Sequence, residues 1–149
     1  MSDIIVAPEM RDLDELAVQL ARWLSDKTGN VVSVSNLDYP RGAGQSHETI
    51  LFDAEQDGRT QGYVVRIKPG SFTVFPDDLF AEQYQIMQAM HEGGHVRVAR
   101  PCWFEDDPAV LGRPFFVMEK AVGRVPVSVP PYRDSGFVAE ATPKQRRRM

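Results

Sequence analysis

Asp57-Gly58 lies between two runs of β-forming residues, one within Ser46 to Asp53 and the other over Tyr63 to Lys68. An Asp-Gly pair in that setting is a strong signal for a tight hairpin, because both residues tolerate positive φ. A third run, Val31 to Tyr39, comes earlier and is cut off by "PRGAG". Three consecutive strands joined by short turns are expected to be antiparallel. This order argues against a Rossmann unit, whose glycines must stand between a strand and a helix.

Helices flank these strands in the sequence. Leu13, Leu16, Ala17, Leu20, Trp23 and Leu24 recur at helical spacing and predict a helix over 12–28 with one apolar stripe. Asp12 with Glu15 reads as its capping pair and Gly29 as its stop. A second helix is expected over 77–92, capped by Asp77 or Asp78 and ended by Gly93-Gly94. Its apolar stripe reads Leu79, Phe80, Ile86, Met87 and Met90, with Gln83 inside it. Two more strands, 100–105 and 114–119, are joined by the turn-rich "DDPAVLG". Residues 121–132 carry three prolines and read as an extended linker. Thr142 followed by Pro143 reads as the cap and first position of a further helix. The expected class is α+β: a five-stranded antiparallel sheet, one helix packed across it and an N-terminal helix flanking it.

A chain of 149 residues can bury a core of its own. The net charge of −4 argues against a nucleic-acid partner. No apolar run reaches the ~20 residues of a membrane span, and the acidic N-terminus lacks signal-peptide shape. The single cysteine, Cys102, excludes an internal disulfide and suits a reducing compartment. A cytoplasmic protein without membrane or nucleic-acid partners is therefore expected.

Two motifs invite a chemical reading. His91-Glu92-Gly93-Gly94-His95 spells the H-E-x-x-H of zinc proteases, which needs both histidines on one helix face. The paired glycines argue instead for a helix end, placing His95 beyond it, so no metal site is expected here. The second is the stretch Gly42 to Ser46. Glycines between strands let backbone N–H groups approach an anion, although the Walker pattern is absent and, taken alone, the motif fits a plain hairpin turn better. Two strands on, alternation sets Tyr63, Val65 and Ile67 on one face and Val64, Arg66 and Lys68 on the other. Cations on one strand face suit phosphate as well as solvent. Gln83, or Glu82 one position around the helix, could face those cations from the second helix.

A glycine-rich hairpin, a basic third strand and a helix offering it a partner follow the order of a protein-kinase small lobe. The stretches "GAGQSHETILF", "YVVRIKP", "FPDDLFAEQYQIMQAM", "RPCWFEDDPAVLGRPFFVMEKAVGRVP" and "EATPKQRRRM" resemble the aminoglycoside phosphotransferase and choline-kinase-like superfamily. The resemblance is nearest to its "phosphotransferase family" branch, which includes forms fused to acyl-CoA dehydrogenases. It implies that Gly42, Gly44, Gln45 and Ser46 cover nucleotide phosphates. It further implies that Arg66 contacts phosphate, with Lys68 secondary, and that Val64 touches adenine. Gln83 stands where many relatives carry the glutamate that pairs with the strand cation, and Glu82 could substitute. Met118 would be the gatekeeper; Glu119 C=O and Ala121 N–H would bond adenine.

The resemblance implies ATP and Mg²⁺, with the metal ligands and the small-molecule acceptor site in a second lobe. Residues 1–120 would form the nucleotide-binding lobe, and 121–149 the linker and the start of the second lobe. The family's H-x-D catalytic loop is absent: none of His47, His91 and His95 has aspartate two residues on. No catalytic residue is therefore expected in this chain, which alone should be inactive and prone to self-association through its lobe interface. The expected role is the ATP-binding lobe of a small-molecule phosphotransferase. The rival is a non-catalytic binding or scaffolding module on the same lobe.

Overall fold

The computed structural model describes residues 11–40, 48–70, 79–126 and 130–149. In chain order the elements are α1 (Leu13–Thr28), β1 (Ser33–Asp38), β2 (Glu48–Gln56), β3 (Arg59–Ile67), α2 (Phe80–Gly93), β4 (Pro101–Glu105), α3 (Pro108–Leu111), β5 (Phe115–Glu119) and α4 (Pro143–Arg146). The five strands form one antiparallel sheet in the order β1-β2-β3-β5-β4. The expected α+β class and strand count are found.

Local chemistry accounts for the boundaries. Asp12 caps α1 by accepting from the N–H groups of Asp14 and Glu15 at 2.9 and 3.2 Å. Glu15 instead accepts a bond from the Gln19 side chain, one turn on. Gly29, at φ +72°, closes the helix in the left-handed region. Asp57 and Gly58 have φ of +52° and +72° between the paired residues Gln56 and Arg59. Positive φ at both positions is the signature of the type I′ turn, whose twist matches that of the flanking strands. "DDPAVLG" coils into the single turn α3, capped by Asp107 and closed by Gly112 at φ +83°. Thr142 and Gln145 form a reciprocal capping box at α4.

Strand alternation gives the sheet two differently packed faces. Ile50, Phe52, Ala54, Val65, Ile67, Phe115 and Val117 turn toward α1 and form the main core with Leu16, Leu20, Trp23 and Leu24. Phe104 and Phe116 turn the other way and meet Phe80 and Tyr84 of α2, with ring centroids 5.2 to 6.2 Å apart. The sheet is thus sandwiched between α1 and α2. The N-terminal helix expected to flank the lobe does so by packing its apolar stripe against the main core.

The α2 stripe also needs correction. Leu79 and Ile86 are 58% and 59% exposed, and only Phe80 of the helix is buried. The inward positions are Phe80, Gln83, Tyr84 and Met87, an i, i+3, i+4, i+7 set. Leu79 occupies the cap position at φ +44° without a side-chain cap, and the proposed caps Asp77 and Asp78 lie outside the described residues. Among the described residues no helix is long and apolar enough to cross a membrane.

Candidate functional site

The α2-facing side of the sheet gathers most of the described residues singled out from sequence. Along β3, Val65 and Ile67 are fully buried toward α1, which obliges Val64 and Arg66 to project to the other face. Pairing then builds two rows across the sheet. Thr49, Arg66, Phe116 and Phe104 form one; Leu51, Val64 and Met118 form the next. These three residues of the second row are apolar, with Val64 buried and Leu51 and Met118 half-buried. These three side chains form an apolar shelf on that face. The first row places a cation one step further along the same face.

Arg66 is half-buried, and its guanidinium carbon lies 5.7 Å from the centre of the Phe116 ring. That geometry allows a cation–π contact. Burial lowers its pKa, yet a guanidinium remains charged at any physiological pH. Lys68 is half-buried just past the strand, its N–H bonded to Pro114 C=O at 2.9 Å. Gln83 is half-buried on the inner side of α2, while its neighbour Glu82 is exposed. Gly42, Gly44, Gln45 and Ser46 lie outside the described residues.

A third row bounds the shelf at its far end. Asp53 lies opposite Gly62, whose C=O accepts from Lys120 N–H at 2.9 Å. Lys120 runs over Gly62 toward Asp53, with Nζ to Oδ1 at 4.0 Å. A Cβ at Gly62 would come within 3.0 Å of Lys120 Cδ, so the missing side chain leaves the crossing open. Asn36, at φ +55° in the irregular part of β1, donates Nδ2–H to the other Asp53 oxygen at 2.8 Å. Beside this row Glu119 N–H bonds to Arg100 C=O at 2.9 Å. Ala121 is exposed just after β5, and among the described residues no hydrogen bond takes up its N–H.

The histidine motif ends as its glycines require. Helix α2 stops at Gly93, Gly94 takes φ +66°, and His95 lies past the cap, exposed like His91. Among the described residues no group of three or more His, Cys, Asp or Glu side chains is placed to hold a metal. Cys102 is half-buried, and burial followed by the nearby Glu119 carboxylate raises its pKa, which disfavours the thiolate.

Sequence reasoning missed Thr49, Leu51, Phe116 and the Asp53–Gly62–Lys120 row. Alternation within β2 and β5 carried a signal for the first three, but only the strand order brings them beside Val64 and Arg66.

Residues 39–145 match the model of the phosphotransferase enzyme family, APH. The chain belongs to that family. The matched span of this phosphotransferase-family chain runs from the residue after β1 into α4 and leaves α1 and β1 outside. The chain is 31% identical over 84 residues to the "Probable acyl-CoA dehydrogenase IBR3" of Arabidopsis thaliana. That match covers 56% of this chain and 10% of the relative. The crystal structure of "a putative aminoglycoside phosphotransferase" from Ralstonia eutropha JMP134 aligns at 30% identity with a TM-score of 0.47. The alignment covers 72% of this chain and 28% of that one. The chain therefore spans a minor part of the length of both relatives.

Proposed function

We propose that this chain is the nucleotide-binding lobe of a phosphotransferase that moves the γ-phosphoryl group of ATP to a hydroxyl of a small molecule. The observation that carries the reading is the adjacency of an apolar shelf and a cation on one sheet face, in a chain of the phosphotransferase family. Leu51, Val64 and Met118 suit the adenine ring, and the edge groups Glu119 C=O and Ala121 N–H suit its polar rim. Arg66 stands two residues from Val64, roughly 6.6 Å along the strand, where it can meet phosphate. Its platform, Phe116, limits how the guanidinium can swing.

The division of labour follows from phosphoryl-transfer chemistry, which depends on positioning and charge stabilisation more than on covalent help from the protein. In this reading the shelf orients the base, Arg66 holds phosphate charge, and Lys68 adds longer-range attraction. Mg²⁺, when bound with ATP, neutralises phosphate oxygens. Its ligands are not gathered among the described residues and belong in this reading to a second lobe, together with the acceptor site.

The test is an NMR titration of the chain with ADP, a method that reads weak binding. Amide shifts should cluster at Val64, Arg66, Met118 and Ala121. Arg66→Ala should weaken ADP binding far more than Lys68→Ala does. The reverse ranking would remove Arg66 from its role. No saturable shift on this face, or shifts elsewhere, would overturn the nucleotide reading and favour a scaffolding module.

A further inference from the structure

The reverse side of the sheet holds a polar network directly behind the Arg66 end of the candidate site. Glu48 shares its alternation with Ile50 and Phe52, so its carboxylate leaves the sheet on the α1 side. One oxygen accepts from Arg11 Nε–H at 2.9 Å, and the other accepts from the Tyr39 hydroxyl at 3.2 Å. Arg11 also donates from Nη1 to Leu111 C=O at 2.8 Å. Four separate segments are joined: the lead into α1, the residue after β1, the first residue of β2, and the end of α3.

The placement of these segments matters more than their number. Thr49, next after Glu48, is the β2 residue opposite Arg66. Leu111 precedes the Gly112 turn into β5, whose Phe116 is opposite Arg66 on the other side. Arg11 therefore braces the start of both strands that enclose Arg66. Its bonds span 37 and 100 residues of sequence. The Arg11 and Glu48 side chains are only 23% and 18% exposed, so solvent screens the pair less than it would a surface ion pair. Burial, and next the adjacent Glu48 carboxylate, raise the pKa of the Tyr39 phenol, which stays a donor at neutral pH. Arg11 also lies outside the residues that match the family, so the brace is anchored by a segment the family model does not include.

We infer that Arg11, Glu48 and Tyr39 are positioning residues that hold the Arg66 end of the nucleotide face in register for phosphate. The inference rests on the nucleotide reading above. It predicts a selective defect: contacts to phosphate suffer, and contacts to the base do not, because the Leu51–Val64–Met118 row lies one step away. A tie that serves stability alone would lower the melting temperature and leave the ratio of ADP to adenosine affinity unchanged.

The experiment compares ADP and adenosine titrations by NMR for the wild-type chain and for Arg11→Ala, Glu48→Gln and Tyr39→Phe, well below each melting temperature. Arg66→Ala serves as the phosphate control. Arg11→Ala and Glu48→Gln should each lower the ADP-to-adenosine affinity ratio by roughly tenfold, with adenosine binding unchanged. Tyr39→Phe removes one hydrogen bond, keeps the ring, and should lower the ratio less, in the same direction. It decides the matter if Arg11→Ala does not fold. If Arg66→Ala lowers the ratio and the three network variants do not, the positioning role is overturned and the nucleotide reading stands. If the wild-type chain binds neither ligand on this face, the nucleotide reading fails and the positioning role falls with it.

Discussion

Glu105 shows how much one side chain can tie together. Its Oε2 accepts from Trp23 Nε1–H at 2.8 Å and lies 3.1 Å from Lys27 Nζ, joining α1 to β4. Trp23 in turn packs edge-on against Phe115 and Trp103, so the bond also holds the aromatic part of the core. The Trp23 bond, helped by Lys27, holds the Glu105 carboxyl below its ordinary value, although burial opposes the shift. A carboxyl depressed in the folded state contributes stability above its unfolded pKa, about 4.3 for glutamate. That contribution is lost as pH falls through the folded value. Glu105→Gln should therefore melt lower than wild type at pH 7, and the gap should close as the pH drops below about 4. Thermal melts across that range check it. A gap that stays constant with pH would mean that the carboxylate charge plays no part.

At the scale of elements, the two long helices present their apolar residues differently. Leu20 of α1 is 0% exposed and Val18 on the same helix is 70% exposed. Leu20→Ala should cost about 2–5 kcal/mol, while Val18→Ala should stay within about 0.5 kcal/mol. On α2, Phe80→Ala should cost about 3–5 kcal/mol and Ile86→Ala little, although hydropathy alone would rank isoleucine as a core residue. Urea unfolding of the four variants checks the ranking, and a large loss from Ile86→Ala would refute the orientation of α2. The α1 stripe was legible because its apolar residues alone satisfy the helical period. On α2 the inward set includes Gln83 and Tyr84, so a stripe drawn through aliphatic residues is rotated off the true face. The alternation of β3 was legible for the opposite reason: a tight hairpin fixes its register locally. The Arg11–Glu48–Tyr39 brace was not legible, because the bonds that make it depend on where α3 and β2 come to rest.

Under the proposed function one face of the sheet meets nucleotide, while the H-x-D motif of the family's catalytic loop is missing from the sequence. The residues two places after His47, His91 and His95 are Thr49, Gly93 and Arg97, so the sequence holds no H-x-D. In the proposed function, positioning of the acceptor hydroxyl, which carries much of the rate in this chemistry, falls to the second lobe. The 149-residue chain on its own should therefore bind nucleotide weakly and release or transfer no phosphate. Its surface carries a second consequence. Leu79 and Ile86 on α2 are more than half exposed, and Val122 and Val125 after β5 are 99% and 88% exposed. Apolar side chains left in water favour association when they lie close enough to form a patch. Sedimentation velocity over a range of concentrations should show the weight-average size rising, and Ile86→Glu should reduce that rise. A phosphate-release assay on the same samples should stay at the level of an Arg66→Ala control. A monomer at every concentration, combined with ATP turnover that Arg66→Ala abolishes, would show that this chain carries its own catalytic groups and buries its surface alone.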